Sequence, residues 1–167
     1  GKPAEVYYHE SLANGKTAYD AHDYEAAKKA WASAAGVKPL PPDIQALYSS
    51  AVQQAAKLDN AKALFKEAKY QDAILNLQPL QQQDPQNQSI QHMINDAHFN
   101  LGAAALQDER LPEAVSQFDD VLKTNPNDEL AKRSRDLAAR YNSQPKGTPK
   151  DLLYKIYVKY LPLRKVS

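Results

Sequence analysis

The sequence predicts an all-α fold, built as a solenoid of helix-turn-helix repeats with a capping helix and an extra C-terminal helix. A pattern of small, aromatic and proline residues recurs three times with one internal spacing. The stretch from Asp43 to Tyr70 contains neither glycine nor proline and carries apolar residues at a helical period. With 167 residues, 43 % of them hydrophobic, the chain can also form one continuous core.

Each repeat has a small residue in its first helix, an aromatic or leucine and then an alanine in its second, a bulky apolar residue one turn later, and a closing proline. Twelve residues separate the small residue from the alanine, and twelve more separate the alanine from the proline, in all three repeats. The sets are Gly15, Tyr24, Ala27, Trp31 and Pro39; Ala61, Tyr70, Ala73, Leu77 and Pro85; and Gly102, Leu111, Ala114, Phe118 and Pro126.

Each position in this pattern has a packing reason. Small residues let two antiparallel helices approach closely, and Trp31, Leu77 and Phe118 fill the space between neighbouring helices. The prolines end the second helices, because proline lacks an N–H donor and its ring clashes with the preceding turn. The pattern therefore predicts three helical hairpins.

These residues resemble the tetratricopeptide repeat (TPR), whose consensus runs W-x2-L-G-x2-Y, A-x3-F and P. Leu101-Gly102 is the closest copy of its Leu-Gly pair. The first two repeats depart from the consensus, since Asn14 and Asn60 replace the leucine and Ala61 replaces the glycine. The resemblance implies a right-handed α-solenoid.

Residues 1–142 are predicted to hold the repeats, at about 8–41, 54–87 and 95–128, followed by a capping helix at 127–142. The insertions between repeats look helical. We therefore expect one long helix after the cap Asp43, and another from Ser89 to Gln107.

Residues 143–167 are predicted to be a linker and a C-terminal helix that is both apolar and basic, from Thr148 to Leu163. Apolar residues cover most of the circumference of this helix, so a single flat contact cannot bury them. Its partner could be the chain's own groove or last helices, a second copy, a further domain or a membrane surface. Packing against the chain's own last helices or a second copy is favoured over membrane binding, and a strand is the minor alternative.

The residues needed for catalysis, metal binding or nucleotide binding do not occur in any recognised pattern. The histidines, at positions 9, 22, 92 and 98, are scattered, there is no cysteine, and five dispersed glycines form no phosphate loop. A net charge of +1 gives no general attraction for nucleic acid. The sequence predicts a protein that is not an enzyme and has no cofactor, metal or nucleic-acid partner.

The resemblance implies that first helices line a concave face that binds a protein or peptide. The lining residues would be Tyr8, Leu12, Lys16, Tyr19, Leu58, Asp59, Lys62, Phe65, Lys66, Asp96, Phe99, Asn100, Ala103 and Gln107. One TPR subclass grips a C-terminal carboxylate with lysine and asparagine. Here Leu12, Lys16, Asp59, Asp96 and Asn100 occupy the corresponding positions, which predicts against binding of chaperone tails of that kind.

The leading functional prediction is thus a non-catalytic interaction or scaffold module. The alternatives are a self-association module that forms homo-oligomers, and an accessory domain whose catalytic part lies upstream. The chain starts at Gly1-Lys2-Pro3 rather than at methionine, which favours a removed leader, anchor or domain. The sequence is that of a soluble fragment, and both export to a bacterial periplasm or envelope and a cytoplasmic location stay open.

Overall fold

The computed structural model describes residues 3–166, and within these residues the regular elements are eight α-helices, with no strand. The chain divides into two compact units, of which the first ends at Asn60 and the second begins at Ala61. The helices are α1 (Ala4–Asp20), α2 (Tyr24–Ala35), α3 (Pro42–Lys66), α4 (Tyr70–Gln83), α5 (Gln88–Gln107), α6 (Leu111–Thr124), α7 (Glu129–Asn142) and α8 (Leu152–Tyr160).

The core of the first unit forms around Trp31, whose side chain is fully buried against Ala27 and Ala51. Its indole N–H donates to the carbonyl of Leu12 on α1, 3.1 Å away, so the ring loses no hydrogen bond on burial. Gly15 lies directly against the indole, and a Cβ built there would overlap it. The small residue and the aromatic of the predicted repeat are therefore in contact.

The second unit has the same relation between Gly102 on α5 and Phe118 on α6. A Cβ at Gly102 would lie 2.8 Å from the Phe118 ring. Phe118 packs edge-on against Phe99, with ring centroids 5.4 Å apart, and both rings are fully buried. The central helix of this unit is α5, which contacts α4, α6, α7 and α8.

The turn inside each repeat is built identically three times. His22, Ala68 and Glu109 have φ of 59°, 61° and 57°, in the left-handed region. The N–H of the next residue in each case bonds to a carbonyl five residues back, as in Asp23 to Ala18, Lys69 to Leu64 and Arg110 to Ala105. This Schellman geometry ends the first helix of each hairpin and normally takes glycine at the left-handed position.

Both long helices are present, but Asp43 is not the cap of the first. α3 runs for 25 residues from Pro42, so Asp43 lies in its first turn, and α5 begins one residue before the predicted Ser89 and ends at Gln107. Asn87 caps α5 by accepting from the N–H groups of Ser89 and Ile90.

The C-terminal helix is shorter than predicted at both ends. Its cap is Asp151, which accepts from the N–H of Tyr154, and not Thr148. The helix ends at Tyr160 because Pro162 disfavours helical geometry at Leu161, whose ψ is 114°. Residues 161–166 therefore continue outside the helix.

Candidate functional site

Residues 161–166, the C-terminal segment, lie along α5 without regular secondary structure. The backbone of Arg164 makes the main contact. Its N–H donates to Oδ1 of Asn100 and its carbonyl accepts from Nδ2 of Asn100, both at 2.8 Å. Asn100 is fully buried, so these two bonds also satisfy a side chain that would be costly to bury unpaired.

The guanidinium of Arg164 is held by three further side chains. Nη1 and Nη2 donate to the two carboxylate oxygens of Asp128 at 2.6 and 2.8 Å, which is a bidentate ion pair. The guanidinium carbon lies 3.9 Å from the centroid of the Phe99 ring, which places the cation on its face. Asp96 is more distant, with Oδ1 3.8 Å from Nη1.

The two carboxylates respond oppositely to this environment. The hydrogen bonds from Arg164 are the main cause that lowers the pKa of Asp128, helped by the N–H of Ala131. Burial is the main cause that raises the pKa of Asp96, against the attraction of Arg164 and His92. Asp128 thus holds the cation, and Asp96 adds a second negative charge beside it.

Helix α8 is fixed to the second unit by tyrosines. Tyr154 is buried, packs edge-on against Tyr141 at 5.0 Å and donates to the carbonyl of Leu106. Burial raises the pKa of Tyr154 to about 12, so its hydroxyl stays neutral and can donate. The hydroxyls of Tyr157 and Ser134 lie 2.8 Å apart.

An open cleft of about 920 Å³ adjoins the C-terminal segment within the second unit. Its walls come from α5, from α8 with the following residues, and from the turn before α4. They include Asn100, Ala103, Gln107, Tyr70, Lys155 and Leu163. The segment therefore covers one part of the exposed side of α5 and leaves another part open.

The predicted lining residues of α5 are brought together. Asp96, Phe99 and Asn100 surround Arg164, while Ala103 and Gln107 border the cleft. Of these five, Phe99 and Asn100 are fully buried, because the C-terminal segment and α6 cover them.

The lining residues predicted in the first unit have mixed environments. Tyr8 is buried and donates to the carbonyl of Pro39 at 2.7 Å, so its hydroxyl has a structural partner. Leu12 and Tyr19 are half-buried and pack into the core around Trp31. Lys16 is exposed and pairs with Asp20.

The lining residues predicted on α3 are likewise divided. Asp59 and Lys66 are exposed, Leu58 and Lys62 are half-buried, and Phe65 is buried against Tyr70 at 5.1 Å. The exposed charges are available to a ligand, whereas Phe65 serves packing within the second unit.

Two residues of the site were missed by the sequence analysis, Asp128 and Arg164. Asp128 follows the proline of the third repeat and caps α7 by accepting from the N–H of Ala131. Pro162 was the sequence feature that could have pointed to Arg164. Proline predicts an extended backbone at the residue before it, and Arg164 follows two residues later. Nothing in the spacing linked it to Asn100, 64 residues away.

The described part of the chain contains no group of three or more histidine, aspartate or glutamate side chains arranged to hold a metal ion. Within residues 3–166, every helix is too short or too polar to cross a bilayer.

The paired helices, the small residues beneath aromatic rings and the repeated turn define a helical-repeat protein. Residues 58–129 match the family model of the tetratricopeptide repeat. This stretch of the chain is thus similar to tetratricopeptide repeats, which generally mediate interactions between proteins. No curated protein and no solved structure gives a significant match to it.

Proposed function

We propose that this protein is a non-catalytic interaction module that binds a protein or peptide through the first helices of its repeats. One observation carries the proposal above all. Residues 161–166, which have no regular secondary structure, already contact α5, because both backbone groups of Arg164 bond to Asn100. A first helix of this chain thus has the chemistry that binding an extended peptide requires.

Exposed charges on the predicted face allow a test. The native chain is immobilised, and the proteins that it captures are compared with those captured by the Lys16→Glu and Lys66→Glu variants. Both variants change exposed residues on first helices. Lys29→Glu on α2 is the matched control, since Lys29 is exposed on a second helix. We expect a captured protein to be lost with Lys16→Glu or Lys66→Glu and kept with Lys29→Glu. Equal capture by all four chains would contradict binding through this face.

Self-association is a second candidate, favoured by the outer side of α8. Leu152 and Tyr160 are 70 % and 71 % exposed, and Leu153 and Ile156 are also exposed. A second copy of the chain could cover this apolar side, as isologous dimers do.

Light scattering at high micromolar concentration tests this candidate. We expect a mass above that of the monomer, which Leu152→Asp would reduce and Leu75→Asp would not, because Leu75 is an exposed leucine on α4. A strictly monomeric native chain would remove the candidate.

A further inference from the structure

We propose that Asp96, Phe99, Asn100 and Asp128 form an arginine-selective peptide site, which takes an extended segment of another chain and is held in cis by residues 161–166. The occupant to which we commit is an extended peptide carrying an arginine after an apolar residue, as Leu163 precedes Arg164 here. This inference rests on the proposed function and adds the chemistry of the ligand and a form of regulation.

The backbone contact does not depend on which residue is bound. Asn100 offers one acceptor and one donor to the N–H and carbonyl of a single residue, as a neighbouring strand would. Any extended residue except proline, which lacks the backbone N–H, can satisfy both bonds. Asn100 therefore fixes the position and direction of a peptide backbone on α5.

The side-chain contacts select arginine. Asp128 accepts from both terminal nitrogens, a geometry that the planar guanidinium fork provides and a lysine ammonium does not. The Phe99 ring adds a flat face at 3.9 Å, which suits a planar cation. Asp96 and Asp128 together carry two negative charges against one cation, so an acidic residue would be repelled.

Residues 161–166 act as a competitor because they are tethered beside the site. Helix α8 is anchored by Tyr154, which keeps the local concentration of Arg164 on the order of millimolar or higher. A peptide from another chain must therefore compete with the tethered Arg164 at that local concentration. The adjoining cleft, which Leu161 and Leu163 border, leaves room for the residues that flank such a peptide.

The experiment opens the site in the full chain. Arg164→Glu replaces the cation by an anion that Asp96 and Asp128 repel, and Lys165→Glu makes the same charge change at an exposed neighbour. The probe is a fluorescein-labelled peptide with the sequence of residues 159–167, KYLPLRKVS. Binding is followed by fluorescence anisotropy at low salt.

We expect saturable binding to the Arg164→Glu chain that is at least tenfold tighter than to the native or Lys165→Glu chain. A probe with lysine in place of its arginine should bind about tenfold more weakly, because it loses the bidentate pair. Asn100→Ala introduced into the Arg164→Glu chain should abolish binding. If Arg164→Glu lowers the melting temperature, Arg164→Ala is the milder variant that removes the guanidinium from the site.

Equal probe binding by Arg164→Glu, Arg164→Ala and Lys165→Glu chains would overturn the inference and leave residues 161–166 as a structural clasp. So would equal binding of the arginine and lysine probes. The capture experiment changes Lys16 and Lys66, whereas the probe experiment changes Arg164, which pairs with Asp96 and Asp128. A partner lost with those variants, together with no probe binding, would overturn this inference alone and leave the proposed function standing.

Discussion

Gly102 lies beneath the Phe118 ring, and this one contact sets how closely α5 and α6 approach. A Cβ at Gly102 would be 2.8 Å from two ring atoms of a side chain that is itself fully buried. The ring has no free space into which it could move, because Phe99 packs against it. The small residue of the repeat is thus needed for packing and not for backbone freedom.

Gly102→Ala is therefore expected to destabilise the protein by about 1–3 kcal/mol, through overpacking. The sign is informative, because glycine to alanine inside a helix normally stabilises by about 1 kcal/mol. Gly36→Ala is the control, since the nearest atom to a Cβ there is a backbone oxygen at 3.4 Å. Urea denaturation measures both. A stabilised Gly102→Ala chain would mean that α5 and α6 are further apart.

Trp31→Ala should cost about 3–5 kcal/mol, because it removes a fully buried ring and leaves a cavity. The native chain should show blue-shifted tryptophan fluorescence, since Trp31 is the only tryptophan and is shielded from water. Trp31→Phe, which loses the hydrogen bond to Leu12 and less volume, is the milder comparison. Emission typical of free indole would contradict the burial.

At the scale of the element, the repeated turn ends the first helix of each hairpin at a left-handed residue that is not glycine. A left-handed conformation costs an ordinary L-residue roughly 1–2 kcal/mol, which glycine avoids. These turns could not be predicted from the sequence, because no glycine marks them. The backbone hydrogen bonds from Asp23, Lys69 and Arg110 to carbonyls five residues back stabilise this local geometry.

Ala68→Gly should consequently stabilise the protein, by up to about 1 kcal/mol once the larger backbone entropy of glycine in the unfolded chain is deducted. Ala63→Gly, at an exposed position inside α3, should destabilise by about 1 kcal/mol. Thermal unfolding of the two variants distinguishes the effects by their opposite signs. Equal losses in both would show that Ala68 is not left-handed in solution.

The register of the helices could be predicted from sequence because packing fixes it locally. The repeat spacing predicted that Gly15, Trp31, Gly102 and Phe118 lie at contacts between helices, but not that each glycine lies directly against an aromatic ring. The end of α8 could have been placed from Pro162 alone. The pairing of Asn100 with Arg164 could not, since it joins a helix to an irregular segment 64 residues later and leaves no periodic signal.

At the scale of the whole molecule, the C-terminal residues belong to the core of the second unit. Tyr154 is part of the apolar cluster that contains Phe99, Phe118 and Tyr141, and Val158 and Leu161 pack against that cluster. The side of α8 that carries Tyr154 packs against the last helices, as the sequence predicted. Its opposite side remains exposed.

Deletion of residues 148–167 should lower the melting temperature and reduce solubility or change the oligomeric state, because it uncovers the apolar surface beneath Tyr154. Scanning calorimetry and light scattering measure these effects. Binding to liposomes is not expected from either chain. A deleted chain with unchanged mass, melting temperature and solubility would show that this segment is only a tail.

The ion pair of Arg164 predicts a dependence on pH. A carboxyl whose pKa is lowered by folding stabilises the folded protein at pH values above its ordinary pKa of 3.8. This stability is lost as the pH falls through the lower pKa of the folded state. Asp96, whose pKa is raised and which also faces His92, is protonated first and weakens the hold on Arg164 before Asp128 does.

The chemical shift of the Arg164 Nε–H should therefore change as the pH falls towards and below 3.8. Asp128→Asn is the matched variant, because asparagine can still cap α7 but carries no charge to titrate. We expect this variant to lose the lowest-pH step and to keep the step due to Asp96. A native chain with no change in the Arg164 signal over this range would contradict the ion pair.

The double role of Asp128 has a consequence for an emptied site. One of its oxygens accepts from the N–H of Ala131 at the start of α7, a bond that does not involve Arg164. Asn100 and Phe99 are on α5, within the regular part of that helix. When Arg164 leaves, the groups that face it stay in place, and an incoming peptide has only its own freedom to lose. Such preorganisation makes exchange of one bound segment for another a matter of competition, with no refolding of the receptor.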